Sequence, residues 1–139
     1  MGDLARPDEK HRGLAANETQ LLELNDGRIL LNARTAARAI AHSKDGGHTW
    51  SALTPEPQLT GPACAAGLMR YDEDRILFSL PNGDRRANGT IWMSRDEGRT
   101  WPVSRSLGPD RFGYSCLARL PDGDIACVYG GRTTPVDSG

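Results

Sequence analysis

The chain has 139 residues, 37% apolar and 25% charged, and its 17 basic and 18 acidic side chains leave a net charge of −1. That length fits one domain, and the composition lies outside the disordered range. With no basic or acidic block, nothing points to nucleic acid or an anionic membrane surface. Cys64, Cys116 and Cys127 are odd in number and form no CxxC pair, so neither a disulfide framework nor a zinc site is indicated. Only Lys10 and Lys44 are lysines among the basic residues. Such an arginine excess suits carboxylate recognition, with codon bias as the plainer source.

Residues 1–16 carry charges and little pattern, and read as a lead-in, either a strand remnant or flexible. The start lacks an apolar signal segment and no stretch is long enough to span a bilayer, so the chain as written reads as soluble and not exported. Strands are expected over 20–24, 28–33 and 38–43, then 68–71, 75–80 and 90–94, and last 114–120 and 124–129. No segment sustains a 3.6-residue apolar period, so no helix longer than a turn is expected. Residues 132–139 read as a polar, frayed tail.

Two repeats organise these strands. Leu24-Asn-Asp-Gly-Arg-Ile-Leu-Leu31, Tyr71-Asp-Glu-Asp-Arg-Ile-Leu-Phe78 and Leu120-Pro-Asp-Gly-Asp-Ile-Ala-Cys127 each place a polar turn before an apolar run, and begin 47 and 49 residues apart. Asp26-Gly27 and Asp122-Gly123 are strong hairpin signals, because glycine accepts positive φ without a Cβ penalty. Ser43-Lys-Asp-Gly-Gly-His-Thr-Trp50 and Ser94-Arg-Asp-Glu-Gly-Arg-Thr-Trp101 share the pattern S-x-D-x-G-x-T-W, 51 residues apart. In each, the aspartate is expected to accept backbone N–H bonds inside the turn, with serine and threonine adding side-chain bonds. Trp50 and Trp101 are expected to bury their rings between sheets. Short strands with regular turns at a period near fifty imply an all-β fold, a β-propeller of four-stranded blades.

The S-x-D-x-G-x-T-W turns resemble the Asp-boxes (BNR repeats) of the sialidase, or neuraminidase, family. Further segments resemble the same family in the same order over about residues 17–130. Asn17-Glu-Thr-Gln20 precedes Leu24-Asn-Asp-Gly27 and Leu31-Asn-Ala-Arg34; Arg38-Ala-Ile-Ala-His-Ser43 leads into the first box, and Arg86-Ala-Asn-Gly-Thr90 into the second. Gly113-Tyr-Ser115 with Leu120-Pro-Asp-Gly123 is similar to the stretch carrying the family's tyrosine. The resemblance implies part of a six-bladed propeller, about three blades over 17–131, matching the C-terminal half of an exo-alpha-sialidase. It implies Tyr114 as nucleophile, Glu18 as its carboxylate partner, and Arg34 and Arg86 as grips for the sialic-acid carboxylate, with Arg85 the competing choice for the last.

The chemistry suits these residue types. The anomeric carbon of sialic acid bears a carboxylate that repels an incoming carboxylate, whereas a neutral phenol deprotonated by a neighbouring glutamate avoids that repulsion. Guanidinium forks fix a carboxylate by paired bonds. The implied substrate is a sialylated glycan; no cofactor is called for, and His11, His42 and His48 show no metal-ligand spacing. The family's R-I-P arginine and acid/base aspartate have no counterpart in the sequence, which implies an incomplete site and open blade faces able to associate. Cys116, just after Tyr114-Ser115, departs from the family's usual Asp or Asn. The alternative reading is a non-catalytic Asp-box propeller that binds glycans or proteins.

Overall fold

The computed structural model describes residues 4–36 and 38–131; the expectation for the tail at 132–139 falls outside them. Among the described residues the chain is all β apart from one 3-10 turn at Glu9–His11. Among the described residues no helix is long and apolar enough to cross a membrane.

Ten strands among the described residues form three antiparallel sheets. The first runs in chain order through β1 (Asn17–Glu23), β2 (Ile29–Arg34), β3 (Arg38–Ser43) and β4 (Thr54–Pro55). The second repeats the plan with β5 (Gly67–Arg70), β6 (Ile76–Pro81), β7 (Gly89–Ser94) and β8 (Val103–Ser106). β9 (Ser115–Arg119) pairs with β10 (Ile125–Tyr129) to begin a third. The first strands of successive sheets, β1, β5 and β9, lie against one another. The sheets therefore radiate from a shared line of inner strands, as blades do in a propeller.

Burial explains which strands announce themselves in the sequence. β6 is buried along its whole length because sheets pack on both of its faces, and β2 is nearly so. Leu24, Leu30, Leu68, Ile76, Phe78, Trp92 and Trp101 fill the space between the first two sheets. Phe78 sits 5.8 Å from Trp101 and 6.3 Å from Trp92, in tilted geometry. β4 and β8, which the sequence pattern did not predict, are outer-edge strands. β8 is exposed throughout and β4 has two residues, one of them proline. Neither needs an apolar alternation, so neither shows one.

The two S-x-D-x-G-x-T-W turns close in the same way. Ser43 Oγ donates to Asp45 at 2.8 Å and accepts from Gly47 N–H at 2.8 Å. Asp45 accepts the Thr49 N–H at 2.8 Å and the Thr49 hydroxyl at 2.6 Å. The corresponding bonds around Ser94, Asp96 and Thr100 are 2.7, 2.9, 2.9 and 2.6 Å. The Thr49 and Ser43 hydrogen bonds push the Asp45 carboxyl down to about 2. One expectation fails: Trp101 is buried between sheets, but Trp50 is only half-buried. Trp50, like Ala5 and Leu14, packs against the Leu31, Ala33, Ala39, Ala41 and Leu53 cluster on the outer face of the first sheet, where no further sheet covers it among the described residues.

Candidate functional site

Antiparallel order sorts the loops onto two ends. The hairpin turns at 24–28, 71–75 and 120–124 share one end with both serine–aspartate turns. The β2–β3 and β6–β7 connections, with the entries to β1 and β9, share the other. Glu18 opens β1, Arg34 closes β2, Arg86 lies in the β6–β7 loop and Tyr114 immediately precedes β9. All four residues named from the sequence therefore reach the same end, from three different sheets.

Their side chains meet there. The Tyr114 hydroxyl donates to Glu18 Oε1 at 2.7 Å. Arg34 Nη1 donates to Glu18 Oε2 at 2.5 Å and to the Tyr114 oxygen at 3.2 Å. The guanidinium of Arg86 lies 5.1 Å from the centre of the Tyr114 ring, over its face. Its Nη2 donates to the Ala63 carbonyl at 3.1 Å. It is Arg86, not Arg85, that the loop brings to the tyrosine. The cluster is open to solvent: Tyr114 is 47% exposed, and the side chains of Glu18 and Arg34 are 31% and 22% exposed.

The electrostatics follow from these contacts. Hydrogen bonds from Arg34 and then Tyr114 hold the Glu18 carboxyl below its ordinary range, against a smaller opposing effect of burial. The bond to Glu18 raises the Arg34 guanidinium in turn. Glu18 is thus an ionised acceptor aimed at a phenol proton, and two cations flank the phenol.

Beneath this layer lies a second one that the sequence did not announce. Arg38, which reads only as the lead-in to the first serine–aspartate turn, is 1% exposed. Its guanidinium donates to Asn32 Oδ1 at 2.7 Å, to the Asn32 carbonyl at 3.2 Å and to the Cys64 carbonyl at 3.0 Å. Burial pushes it down to about 10, so it stays charged at neutral pH. The fully buried Cys64 thiol lies beside the Tyr114 backbone N–H, and burial raises it. The sequence offered no signal that singled out Arg38; its neighbours Ala39 and Ala41 belong to the cluster on the opposite face of the sheet. Cys116, by contrast, is exposed and makes only a long 3.9 Å contact to the Leu117 carbonyl. Ser115 takes the local role instead, bonding Ser79 Oγ at 2.8 Å.

A groove of about 810 Å³ lies elsewhere, between the second and third sheets, lined by Leu77, Ile91, Met93, Val103 and Ile125 among others. It holds none of the four residues, so the cluster is identified by chemistry and not by concavity. Among the described residues no group of His, Cys, Asp and Glu could hold a metal ion.

Comparison with known proteins gives the family. Residues 3–127 match the family model described as a BNR repeat-like domain. A sialidase of Micromonospora viridifaciens is 38% identical over 131 residues, covering 84% of this chain and 20% of that protein. An anhydrosialidase of Macrobdella decora is 33% identical over 139 residues, covering 84% of the chain and 18% of that protein. The crystal structure of the intramolecular trans-sialidase from Ruminococcus gnavus superimposes with a TM-score of 0.72 at 30% identity, over 88% of this chain and 29% of that one. The chain spans about a fifth of the length of the curated relatives it matches.

Proposed function

Because this chain belongs to the sialidase family with BNR repeats, we propose that its Tyr114–Glu18–Arg34–Arg86 cluster is the nucleophilic half of a sialidase active site. The observation that carries this reading is the Tyr114–Glu18 hydrogen bond of 2.7 Å across 96 residues of sequence, with Arg34 bonded to both partners. A phenol and a carboxylate so placed form a nucleophile with its base.

The steps follow from the geometry. Arg34 and Arg86 hold the carboxylate of a terminal sialic acid over Tyr114. The phenol oxygen attacks the anomeric carbon, and the bond to the glycan oxygen breaks. As the new C–O bond forms, the phenol proton becomes acidic and passes to Glu18. A carboxylate held below its usual range suffices, because it need accept the proton only at that moment. Water then attacks the tyrosine-linked sugar, Tyr114 leaves, and Glu18 returns the proton to it. Two inversions give net retention. The departing glycan oxygen also needs a proton and the attacking water must lose one, and none of the four residues is placed to carry out either transfer. The family resemblance assigns that role to an aspartate with no counterpart here.

That gap favours a second reading for the chain by itself, as a unit that binds a sialylated glycan without turning it over. One experiment separates the two. Release of fluorophore from an aryl sialoside is measured for the chain, Tyr114→Phe and Glu18→Gln, alongside N-acetylneuraminic acid binding by NMR. Turnover that collapses in Tyr114→Phe supports catalysis; binding without turnover supports the second reading. Turnover that survives Tyr114→Phe refutes the nucleophile assignment.

A further inference from the structure

Arg38 is a cation of an unusual kind. Ionised side chains leave water at high cost, and a buried one is ordinarily paired with an opposite charge. Arg38 is 1% exposed, yet its three bonds all go to neutral oxygens, two on Asn32 and one on Cys64. Among the described residues no carboxylate lies within ion-pairing distance of it. The remaining contact is the face of Phe78, 5.5 Å from the guanidinium carbon. Its charge is thus spread over carbonyl dipoles and left unneutralised.

Its position gives that charge a use. Asn32 and Arg34 alternate along β2, so both point to the same face of the sheet. Arg38 pairs with Arg34 in register at the start of β3. The Cys64 carbonyl that Arg38 holds follows the Ala63 carbonyl that Arg86 holds. The buried cation therefore sits under the two arginines of the candidate site and braces the segment that anchors one of them. In a low-dielectric surround with no counter-ion, its field is weakly screened on the side where a substrate carboxylate would lie.

We propose that Arg38 is a third positive charge for carboxylate recognition, acting by its field from beneath the site and not by contact. This rests on the reading of the cluster as a sialic-acid site. It explains why Asn32 faces Arg38 where aspartate would make a stronger pair: a carboxylate there would cancel the field. It also fits a cost that the fold bears, since Asn32 Nδ2 is buried with no hydrogen-bond partner among the described residues.

The test exploits that pair. Asn32→Asp changes one atom group, removes the orphan donor and neutralises Arg38 without altering shape. Arg38→Met removes the charge, and Arg38→Lys keeps it. For the full chain and each variant, affinity is measured for N-acetylneuraminic acid and for its uncharged methyl ester. The acid-to-ester affinity ratio should fall about three- to tenfold in Asn32→Asp and Arg38→Met, the size of one charge acting through an intermediate dielectric. It should hold in Arg38→Lys. A purely structural role would weaken acid and ester alike and leave the ratio unmoved, which overturns the proposal. Should Arg38→Met fail to fold, the Asn32→Asp and Arg38→Lys pair carries the test. A second readout does not need sugar binding: the titration of Glu18 followed by carboxyl 13C NMR. The groups facing Glu18 are Arg34, Tyr114 and Arg86, with the Cys64 thiol behind them, all kept in every variant. Its midpoint should rise in Asn32→Asp and Arg38→Met. If the parent binds neither sugar, the sialic-acid reading of this chain fails, while a rise in the Glu18 midpoint still supports the field; an unmoved midpoint refutes it.

Discussion

Gly89→Ala tests whether the tyrosine is positioned by packing behind it. Gly89 opens β7, and a Cβ built on it would lie 2.1 Å from Phe112 Cδ2 and 2.6 Å from two further ring atoms. Contact between carbons needs about 3.5 Å, so the ring must retreat by roughly 1.4 Å. Phe112 has little room to do so: it is 1% exposed and stacked on Tyr129 at 4.5 Å. Its backbone N–H is bonded to the Arg86 carbonyl at 3.0 Å, and Tyr114 lies two residues on. Overpacking of this kind costs about 1–3 kcal/mol. For a chain of this length that lowers the melting temperature by about 4–12 °C. The shift also drags the Arg86 loop and Tyr114, so binding at the proposed site should weaken with it. The assay is thermal melting by circular dichroism together with N-acetylneuraminic acid binding. Gly89→Ala with Phe112→Leu should recover much of the stability by giving the methyl group space. A Gly89→Ala variant that melts and binds like the parent would refute the reasoning.

Three further outcomes are expected. Asp45 has its pKa depressed in the folded chain, so its contribution is complete above the unfolded carboxyl value and is lost as pH falls through about 2; the melting difference between parent and Asp45→Asn should be largest near pH 7 and vanish near pH 2. Glu97 holds a left-handed backbone (φ 61°) where the first serine–aspartate turn has Gly46 (φ 69°), and it is ion-paired to Arg70 at 2.8 Å. Glu97→Gln loses the pair and keeps the strain, whereas Glu97→Gly loses the pair and relieves it, so the glycine variant should be the more stable of the two by about 1 kcal/mol, measured by urea denaturation. Val128 (73% exposed), Tyr129 and Ile125 leave apolar surface on β10; the isolated chain should self-associate in sedimentation velocity, and Val128→Lys should shift it toward monomer, whereas a monodisperse parent would count against open-edge association.

The sequence carried the repeat well because the repeat is written in turn chemistry. Ser43, Asp45, Gly47 and Thr49 bond one another within seven residues, so their spacing alone reveals the turn and its twin. The second strands of the first two sheets were legible for a similarly local reason, since β2 opens on Ile29-Leu-Leu31 and β6 on Ile76-Leu-Phe78 directly after their turns. What lay hidden depends on contacts distant in sequence. β8 has no apolar face to read, and the exposure of Trp50 depends on which face of the first sheet is covered. Arg38 reads as an ordinary polar residue until Cys64 and Asn32 are seen around it. The candidate site residues were legible only as members of an ordered set of motifs. Nothing in Tyr114 taken alone separates it from Tyr71, whose hydroxyl does a different job, bonding the Gly123 carbonyl at 2.9 Å.

That contrast shows how the two ends of the sheets divide their work. At the turn end, polar groups are spent on joining blades. Arg70 pairs with Glu97 and reaches the Glu23 carbonyl at 3.3 Å, and Asn25 N–H donates to Glu97 at 2.7 Å. Tyr71 and Arg119 link the second sheet to the third, with Arg119 donating to the Tyr71 carbonyl at 3.2 Å. These bonds fix how the blades sit without using any group at the opposite end. There, Glu18, Arg34 and Tyr114 bond chiefly one another, while packing from Phe112 and the Arg38–Cys64 bond hold their backbones. The proposed site draws its side chains from three sheets, so its geometry depends on the blades being locked elsewhere. Loosening the turn end by Arg70→Met should therefore weaken sugar binding from the far side of the molecule, with the Tyr114–Glu18 pair untouched in sequence. Unchanged binding in a variant with a lowered melting temperature would show that the inner strands alone hold the register.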